Sequence, residues 1–378
     1  MFAVRSVLRR SCVAIATCAA LGAAAVAAPA QAASYTVSDL GPSGFSSNQI
    51  GALVAFDINA QGQVVGTHIA ADGLARAFVT APNGGAPVTI SPDSYGLIAA
   101  YGINGAGQVT GSSAFFYDPA SGGGAVRLPG LGGEGSGGRA INASGQVAGG
   151  AALPADPDTG LVTSHAFVTA PGGGALTDLG TLGGSSSAQG INDSGQVVGY
   201  SEIVPGGQSH AFVATIGAGM RDLGTFIEGN AGSSFASAIN NAGSIVGYAS
   251  SLNGTRAFIT EAGGQGLTGL VSLGQESFAS DINDLGQVVG NYRDDAGTNH
   301  AFLWQGGTMV ELTDAVDGSG WTLEGAQAIN DKGQIVGWGV FNGERRAFLL
   351  TPVPEPATWM LTALGLGLAV AVQRRAKR

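Results

Sequence analysis

One short pattern occurs seven times along this chain: an apolar residue, Asn, two variable residues, Gly, and a short apolar run that ends in Gly. The clearest copy extends from Gln189 to Gly199. Because the copies lie 38 to 50 residues apart, this repeat constrains the architecture more than any other feature. The paired positions are Ile58-Asn59, Ile103-Asn104, Ile141-Asn142, Ile191-Asn192, Ile239-Asn240, Ile282-Asn283 and Ile329-Asn330.

Each repeat contains four segments with strand character, clearest in the fourth copy at residues 187–192, 196–201, 210–214 and 220–224. The Asn-x-x-Gly step between the first two segments predicts a hairpin. Asn tolerates the left-handed region and its side chain bonds to the backbone two residues on, while Gly adopts positive φ without a Cβ penalty. The Gly that closes the second segment indicates a bulge or a close approach of two backbones.

The third segment of each repeat places a small residue directly before a Phe. We interpret this as core packing, in which the Phe fills the space between neighbouring sheets and the small residue lets them approach. The triplets are Arg76-Ala77-Phe78, Ser113-Ala114-Phe115, His165-Ala166-Phe167, His210-Ala211-Phe212, Arg256-Ala257-Phe258, His300-Ala301-Phe302 and Arg346-Ala347-Phe348.

Four short strands per repeat match one blade of a β-propeller, whose faces are buried only against neighbouring blades. The sequence therefore predicts an all-β, seven-bladed β-propeller over residues 33–352. The seventh repeat ends near Phe348 without a fourth strand, whereas residues 35–41 resemble a fourth strand and precede the first repeat. We expect this N-terminal strand to complete the last blade and close the ring. An open solenoid, the alternative, would leave an unpaired strand at each end.

The charge distribution argues against a nucleic-acid partner. The formal net charge is −10, and residues 34–353 hold nine basic and 25 acidic side chains. A region this acidic repels phosphate backbones. Both cysteines, Cys12 and Cys18, lie near the N-terminus, so the repeat region offers no disulfide, thiol nucleophile or Cys-bound metal.

Residues 1–32 read as a secretory signal peptide. Basic residues at Arg5, Arg9 and Arg10 precede an apolar, Ala-rich stretch, and Ala30-Gln31-Ala32 offers the small-x-small pattern that signal peptidase requires. We expect cleavage after Ala32. A lipoprotein site at Cys18 is the alternative.

Residues 353–378 form a separate C-terminal module. Pro354-Glu355-Pro356 is followed by an apolar run at 357–372 and a basic tail that includes Arg374 and Arg375. An apolar run of this length spans roughly 24 Å as a helix, less than the ~30 Å hydrocarbon core. We therefore expect a short transmembrane helix that anchors the protein temporarily in the inner membrane, with its basic end in the cytoplasm.

The order Pro-Glu-Pro, apolar helix and Arg-rich end resembles the PEP-CTERM sorting signal of Gram-negative bacteria. That resemblance implies processing by an exosortase-type membrane peptidase, and association with exported polysaccharide and biofilm matrix. The triplets, together with Asp-Leu-Gly-Thr segments such as residues 178–181, resemble extracellular HAF repeats. Ser113 and the three Arg residues that replace His depart from the HAF pattern, as does Arg127-Leu128-Pro129 at an Asp-Leu-Gly position. This family provides no catalytic residues.

Few residues suggest chemistry. His165, His210 and His300 share one repeat position, but Arg replaces His there in other repeats, which a metal site would not tolerate. We therefore interpret them as polar residues at strand starts that bond to a neighbouring blade. No cofactor is expected, although acids make calcium a candidate. These acids are the hairpin residues Asp193 and Asp284 and the loop pairs Asp156 with Asp158 and Asp294 with Asp295. No nucleophile triad, zinc-protease motif or phosphate loop is present, and we predict no enzymatic activity.

A binding surface is predicted on one face of the ring. Loops from the fourth strand to the first, and from the second to the third, share a face, and their lengths vary between repeats, for example at residues 150–164 and 201–208. Tyr200, Tyr248, Tyr292 and Trp338 lie near that face and could stack on sugar rings, or pack against the next blade. We expect an exported surface or matrix protein with a structural or binding role. A lectin-like propeller of the exopolysaccharide matrix is the second hypothesis, and a glycan-acting enzyme is the third.

Overall fold

The computed structural model describes residues 34–42, 53–70, 72–90, 99–271, 273–316 and 318–353. The predicted signal peptide, Pro354-Glu355-Pro356, the apolar run and the basic tail with Arg374 and Arg375 lie outside the described residues. Among the helices of the described ranges, none is long and apolar enough to cross a membrane.

The described chain forms seven antiparallel sheets of four strands each, which confirms the seven-bladed propeller. Six blades consist of four consecutive strands, beginning with β2 (Leu53–Ile58), β3 (Val64–Ile69), β4 (Ala75–Thr80) and β5 (Pro87–Thr89). Blade 2 contains β6 (Ala100–Ile103), β7 (Val109–Gly111), β8 (Phe115–Tyr117) and β9 (Val126–Arg127). Blade 3 contains β10 (Ser136–Ile141), β11 (Val147–Ala152), β12 (Ser164–Thr169) and β13 (Leu176–Asp178).

Blades 4 to 6 repeat this arrangement. Blade 4 contains β14 (Ser186–Ile191), β15 (Gln196–Glu202), β16 (Ser209–Thr215) and β17 (Gly219–Gly224). Blade 5 contains β18 (Ser234–Ile239), β19 (Ile245–Ser251), β20 (Gly254–Glu261) and β21 (Gln265–Gly269). Blade 6 contains β22 (Glu276–Ile282), β23 (Val288–Arg293), β24 (Asn299–Gln305) and β25 (Thr308–Glu311). Short 3-10 turns lie at Pro82–Gly84, Pro119–Ser121, Glu228–Asn230 and Asp314–Val316.

Blade 7 joins the two ends of the propeller. Its strands are β26 (Trp321–Ile329), β27 (Ile335–Phe341), β28 (Glu344–Pro352) and, on the outer edge, β1 (Tyr35–Pro42). The pairing of β1 with β28 runs from Tyr35 opposite Pro352 to Pro42 opposite Arg346. The predicted closure by the N-terminal strand is therefore confirmed. This pairing covers an edge of β28 that would otherwise be open to strand addition.

The repeated Asn-x-x-Gly step is a hairpin turn, as predicted, but Asn and Gly have different roles in it. Gly62 adopts the left-handed conformation, at φ 73°, whereas Asn59 does not. The Asn59 Oδ1 instead accepts hydrogen bonds from the backbone N–H groups of Gln61 and Gln63, each at 3.0 Å. We call the face that carries these turns the hairpin face, and the opposite face the variable face.

The same Asn residues also connect every blade to the next. The side-chain amide of Asn59 donates a hydrogen bond to the backbone carbonyl of Asn104, and Asn104 donates in turn to Asn142. The seven bonds form a closed ring with N–O distances of 3.1, 2.9, 3.1, 3.2, 3.2, 3.0 and 2.9 Å. All seven Asn side chains are buried, so the ring is a permanent contact within the fold.

The recurrent Gly of each second strand permits a close approach of two backbones, as expected. A Cβ on Gly199 would lie 2.1 Å from the carbonyl oxygen of Ser187 on the first strand. The equivalent distances at Gly66, Gly111, Gly149, Gly247, Gly290 and Gly337 are 1.8, 2.0, 1.9, 2.0, 2.0 and 2.1 Å. The first strand bulges opposite this position in blade 4, between Ala188 and Gly190.

The core lies between blades, where the Phe of each third strand is fully buried. Around Phe212 of blade 4, for example, pack Ala166 and Val168 of blade 3. The Ala that precedes each Phe is also buried, which confirms the interpretation of the triplets as core packing. Because each cluster draws on two blades, a single blade has no core of its own.

Candidate functional site

The innermost strands of all seven blades line a central cavity of about 460 Å³. One repeat position, two residues before the recurrent Ile, supplies a lining side chain from every blade. These side chains are Phe56, Tyr101, Arg139, Gln189, Ser237, Ser280 and Gln327. The first strand bulges at this position, so these residues are free of the regular cross-strand pairing, for example Phe56 between Ala55 and Asp57.

A continuous row of aromatic rings lines one side of the cavity across blades 4, 5 and 6. Tyr200 contacts Phe235 edge-on with ring centroids 5.2 Å apart. Phe235 stacks on Tyr248 at 5.2 Å, and Tyr248 contacts Phe278 edge-on at 5.1 Å. All four rings are partly exposed, and burial raises the pKa of the Tyr248 hydroxyl, with a smaller contribution from Tyr200.

The other side of the cavity carries a second aromatic pair and a cation. Phe56 contacts Tyr101 edge-on at 5.0 Å, and the guanidinium of Arg139 lies 4.5 Å from the centre of the Tyr101 ring. The Arg139 side chain is exposed. We call the cavity between this pair and the aromatic row the channel site.

Two of the four predicted stacking residues belong to the channel site, and two do not. Tyr292 is only 5% exposed, and its hydroxyl donates a 2.8 Å hydrogen bond to Glu311. Burial, then Glu311, raise the pKa of that hydroxyl. Tyr292 also stacks on His300 at 4.9 Å, so it is a core residue and we remove it from the candidate surface. Trp338 covers Gly325 and packs beneath Arg345, with 4.7 Å from the guanidinium to the ring centre.

Two carboxyl groups lie in the wall of the channel site. Asp57 accepts hydrogen bonds from the backbone N–H groups of Ile58, at 2.7 Å, and of Ile103 in the next blade, at 2.8 Å. Asp281 makes the same pair of bonds to Ile282, at 2.8 Å, and Ile329, at 2.9 Å. Each carboxyl thus connects two blades.

The environment of these two carboxyls favours their neutral forms. Burial, and then the charge of Asp281, raise the pKa of Asp57 to about 7. Burial is also the main cause that raises the pKa of Asp281 to about 6, with a smaller contribution from Asp331. The channel site therefore contains two carboxyls that titrate near neutral pH.

Most of the acids considered for calcium accept structural hydrogen bonds. On the hairpin face, Asp193 accepts from the backbone N–H of Ala143 at 2.8 Å, and Asp284 accepts from that of Asn241 at 2.7 Å. Asp156 accepts three bonds within its own loop, from Asp158 and Thr159. Across the described ranges, no three His, Cys, Asp or Glu residues come together in a group that could hold a metal ion.

The histidines of the triplets bond within their own blade, so the expectation of a neighbouring-blade partner was wrong. His165 Nδ1 lies 2.9 Å from Asp178, and His210 Nδ1 lies 2.8 Å from Asp222. Each acid stands on the fourth strand, opposite the triplet Phe. His300 follows the same rule with Glu311 at 3.0 Å, and Arg346 does so with Asp39 at 2.7 Å.

Sequence reasoning missed most of the channel site. Phe56, Tyr101 and Arg139 share one repeat position that is aromatic, basic or neutral polar in different copies, while the Ile and Asn that follow two and three residues later never change. Comparing the seven copies position by position would have marked this variable column in an otherwise regular repeat. Phe235 and Phe278 lie two residues earlier in their strands, where the other copies carry Val, Ala, Gly or Ser.

The fold and the channel site define a seven-bladed β-propeller with an aromatic-lined central cavity. Oligogalacturonate lyase from Vibrio parahaemolyticus is similar in structure, with a TM-score of 0.54 and 10% identity over 85% of this chain and 98% of that one. Puromycin hydrolase is similar with a TM-score of 0.54 and 14% identity, over 82% of this chain and 54% of that one. The propeller domain of the Trilobed protease from Pyrococcus furiosus has a TM-score of 0.50 and 11% identity, over 70% of this chain and 85% of that one.

These identities show a shared fold and nothing about activity. This chain spans about half the length of puromycin hydrolase. No curated protein sequence matches the chain. A family model described as the PEP-CTERM protein-sorting motif matches residues 352–378. The chain therefore carries a PEP-CTERM sorting signal, which marks it as an exported protein that an exosortase sorts.

Proposed function

We propose that this protein is an exported, HAF-repeat propeller that binds carbohydrate of the exopolysaccharide matrix in its channel site. In this proposal the C-terminal segment anchors the protein transiently in the inner membrane. An exosortase-type peptidase then processes it, and the propeller remains at the cell surface or in the biofilm matrix.

The aromatic row carries the proposal. Tyr200, Phe235, Tyr248 and Phe278 present connected ring faces and edges to a cavity large enough for a sugar unit. Around them lie amide, hydroxyl and guanidinium groups from Gln189, Gln327, Ser237, Ser280 and Arg139. Apolar ring faces combined with a few convergent hydrogen-bonding groups are the chemistry that a pyranose ring and its hydroxyls require.

A glycan array with the purified propeller tests this proposal, followed by calorimetry with the best oligosaccharide. Tyr248→Ala should weaken binding about tenfold, the value of one good aromatic contact. Tyr248→Phe keeps the ring and should bind nearly as wild type does. Tyr292→Phe, which alters a hydroxyl outside the cavity, serves as a second control. Absence of binding to every surface polysaccharide would remove the lectin proposal and leave a purely structural role.

We propose binding without catalysis and without a cofactor. Asp57 and Asp281 are a pair of acids in the cavity, which is the observation that favours a glycan-acting enzyme as the alternative. Against it, both oxygens of each carboxyl already accept backbone N–H groups that hold two blades together. New reducing ends after incubation with a bound glycan would establish the enzyme. Loss of binding in EDTA would establish a metal.

A further inference from the structure

Both ends of the described chain leave the propeller on the hairpin face. In each blade the first strand runs from the variable face to the hairpin face, and strand direction then alternates. The third strand of blade 7, β28, therefore ends at the hairpin face, and its antiparallel partner β1 begins there. The backbone N–H of Val353 donates a 2.8 Å hydrogen bond to the carbonyl of Ser34, which holds the two ends together.

A second contact places the chain exit beside a hairpin turn. A Cβ built on Gly333, in the turn of blade 7, would lie 3.2 Å from the ring of Pro352. The sorting motif begins at this residue, since it matches residues 352–378. The sorting segment is thus attached to the hairpin face, beside the turn of blade 7.

The aromatic row lies in the opposite half of the cavity. Phe235 is the second residue of β18 and Phe278 the third residue of β22, and both strands begin at the variable face. Tyr200 and Tyr248 lie opposite the early part of a first strand, where Tyr248 pairs with Phe235 and Tyr200 with Ser187.

We infer that the tethered propeller presents its hairpin face to the membrane and its aromatic channel site away from it, towards exported polysaccharide. This inference rests on the proposed function, because it needs the membrane anchor. It specifies that the variable face, and not the hairpin face, is turned towards the polysaccharide.

The linker to the apolar run is shorter than the distance between the two faces, so the two faces lie at different distances from the membrane. Residues 354–356 separate the last described residue from the apolar run, and three residues reach at most ~11 Å. A seven-residue strand such as β24 extends roughly 23 Å between the two faces. A site on the hairpin face near blade 7 should therefore stay much closer to the lipid headgroups than a site on the variable face.

The covalent tether keeps the hairpin face near the membrane, and negative charge keeps that face out of the lipid. Asp193, Asp284 and Asp331 are exposed around the cavity on this face. Carboxylates are repelled by the negative surface of an anionic leaflet. The covalent tether alone then determines the orientation, without direct binding of the propeller to lipid.

Two labelling sites in blade 6 test this inference in the full chain. Residues 34–353 contain no cysteine, so Cys12→Ser and Cys18→Ser give a background without thiols. Leu285→Cys places a fluorophore in the hairpin turn, where the Leu side chain is 65% exposed. Ala296→Cys places it in the exposed loop between β23 and β24 on the variable face. The probe is a vesicle of phosphatidylethanolamine and phosphatidylglycerol with a nitroxide on the headgroup.

Quenching at position 285 should exceed quenching at position 296 several-fold. Equal quenching, or stronger quenching at 296, in protein that floats with the vesicles would overturn the orientation and leave the anchor intact. Protein that fails to float with the vesicles would overturn both the anchor and the orientation. Deleting residues 354–378 should remove flotation, and a truncated protein that still floats and is quenched at 285 would show that the face binds lipid itself.

Discussion

The side-chain amide of Asn330 donates a 2.9 Å hydrogen bond to the backbone carbonyl of Asn59, across 271 residues of sequence. This bond connects blade 7 to blade 1 and completes a ring that six equivalent bonds form elsewhere. The other closure, the pairing of β1 with β28, lies at the outer edge of blade 7. The ring is therefore closed twice, at its centre and at its circumference.

Replacing one ring Asn should destabilise the whole propeller. Asn330→Ala removes the inter-blade donor to the buried carbonyl of Asn59, which keeps the N–H donor of its own turn, and removes the acceptor for the backbone N–H groups of Lys332 and Gln334. Unsatisfied buried groups of this kind cost about 1 to 3 kcal/mol each. Urea unfolding should show a loss of at least that size. Asn253→Ala, at an exposed turn outside the ring, is the matched control and should change stability by less than about 0.5 kcal/mol.

The register of the outer closure can be trapped covalently. Thr36 stands opposite Thr351, and the described ranges contain no cysteine of their own. Thr36→Cys with Thr351→Cys should form a disulfide under mild oxidation, detected by mass spectrometry of the digested protein. Such a long closed loop should stabilise the fold by up to about 5 kcal/mol. The out-of-register pair Thr36→Cys with Leu349→Cys should remain reduced, and the opposite result would show that β1 pairs in another register.

The blades were predictable because their chemistry is local and repeated. Each hairpin needs a Gly at positive φ, each blade needs a Phe between sheets, and these requirements recur at the same positions in every copy. Closure by β1 was predictable because residues 35–41 carry the fourth-strand pattern before the first repeat, whereas the seventh repeat lacks a fourth strand of its own.

The channel site was not predictable in the same way, because its geometry depends on the ring as a whole. Tyr200 and Phe278 lie two blades apart and face one cavity only after closure. Tyr292 illustrates the same limit on a single strand, since it is one residue out of phase with Tyr248 relative to the Gly of its strand. That single step turns its ring from the channel side into the core, because side chains alternate between the faces of a strand. The hydrogen bond from each Asn side chain to the next blade likewise cannot be predicted from one repeat, because its acceptor belongs to another repeat.

Stability should fall as pH rises from about 4 to 7, through the channel carboxyls. The folded-state pKa of Asp57 is raised to about 7 and that of Asp281 to about 6, whereas both titrate near 3.8 when unfolded. The folded protein binds more protons than the unfolded chain in this window, so its stabilisation is complete below pH 4 and is lost as pH increases. The loss should amount to several kcal/mol, because a pKa difference of one between the folded and unfolded states corresponds to about 1.4 kcal/mol.

Comparison with a double variant isolates these two groups. Asp57→Ala with Asp281→Ala should flatten the pH dependence between 4 and 7, and the fold should accept it because five blades carry Gly or Ala at this position. His300, whose folded-state pKa is raised, also loses stabilisation as pH rises, but it is unchanged in the variant and cancels in the difference. Asp72, Asp156 and Asp294 have lowered pKa values, so they change the pH dependence of stability only below about pH 4. Identical pH profiles for variant and wild type would contradict the assignment.

Restoring a missing ion pair in blade 5 should stabilise the protein. Arg256 occupies the triplet position that His or Arg takes elsewhere, but Gly269 stands where Asp178, Asp222 and Glu311 provide an acid in other blades. Within the described residues the guanidinium of Arg256 has no hydrogen bond or ion pair. A Cβ on Gly269 would make ordinary contacts, 3.5 Å from the Arg256 side chain and from Phe226. Gly269→Asp should therefore form the cross-strand pair without strain.

Two effects contribute to the expected gain, and a control separates them. An exposed ion pair contributes about 0.5 kcal/mol, and removing a strand glycine contributes a similar amount through the unfolded state. Gly269→Ala should show only the second effect, and 1 M salt should reduce the difference between the Asp and Ala variants by screening the pair. Urea unfolding measures all three proteins. If Gly269→Asp is no more stable than Gly269→Ala at low salt, the acid opposite the triplet has a role other than pairing with the cation across the strands.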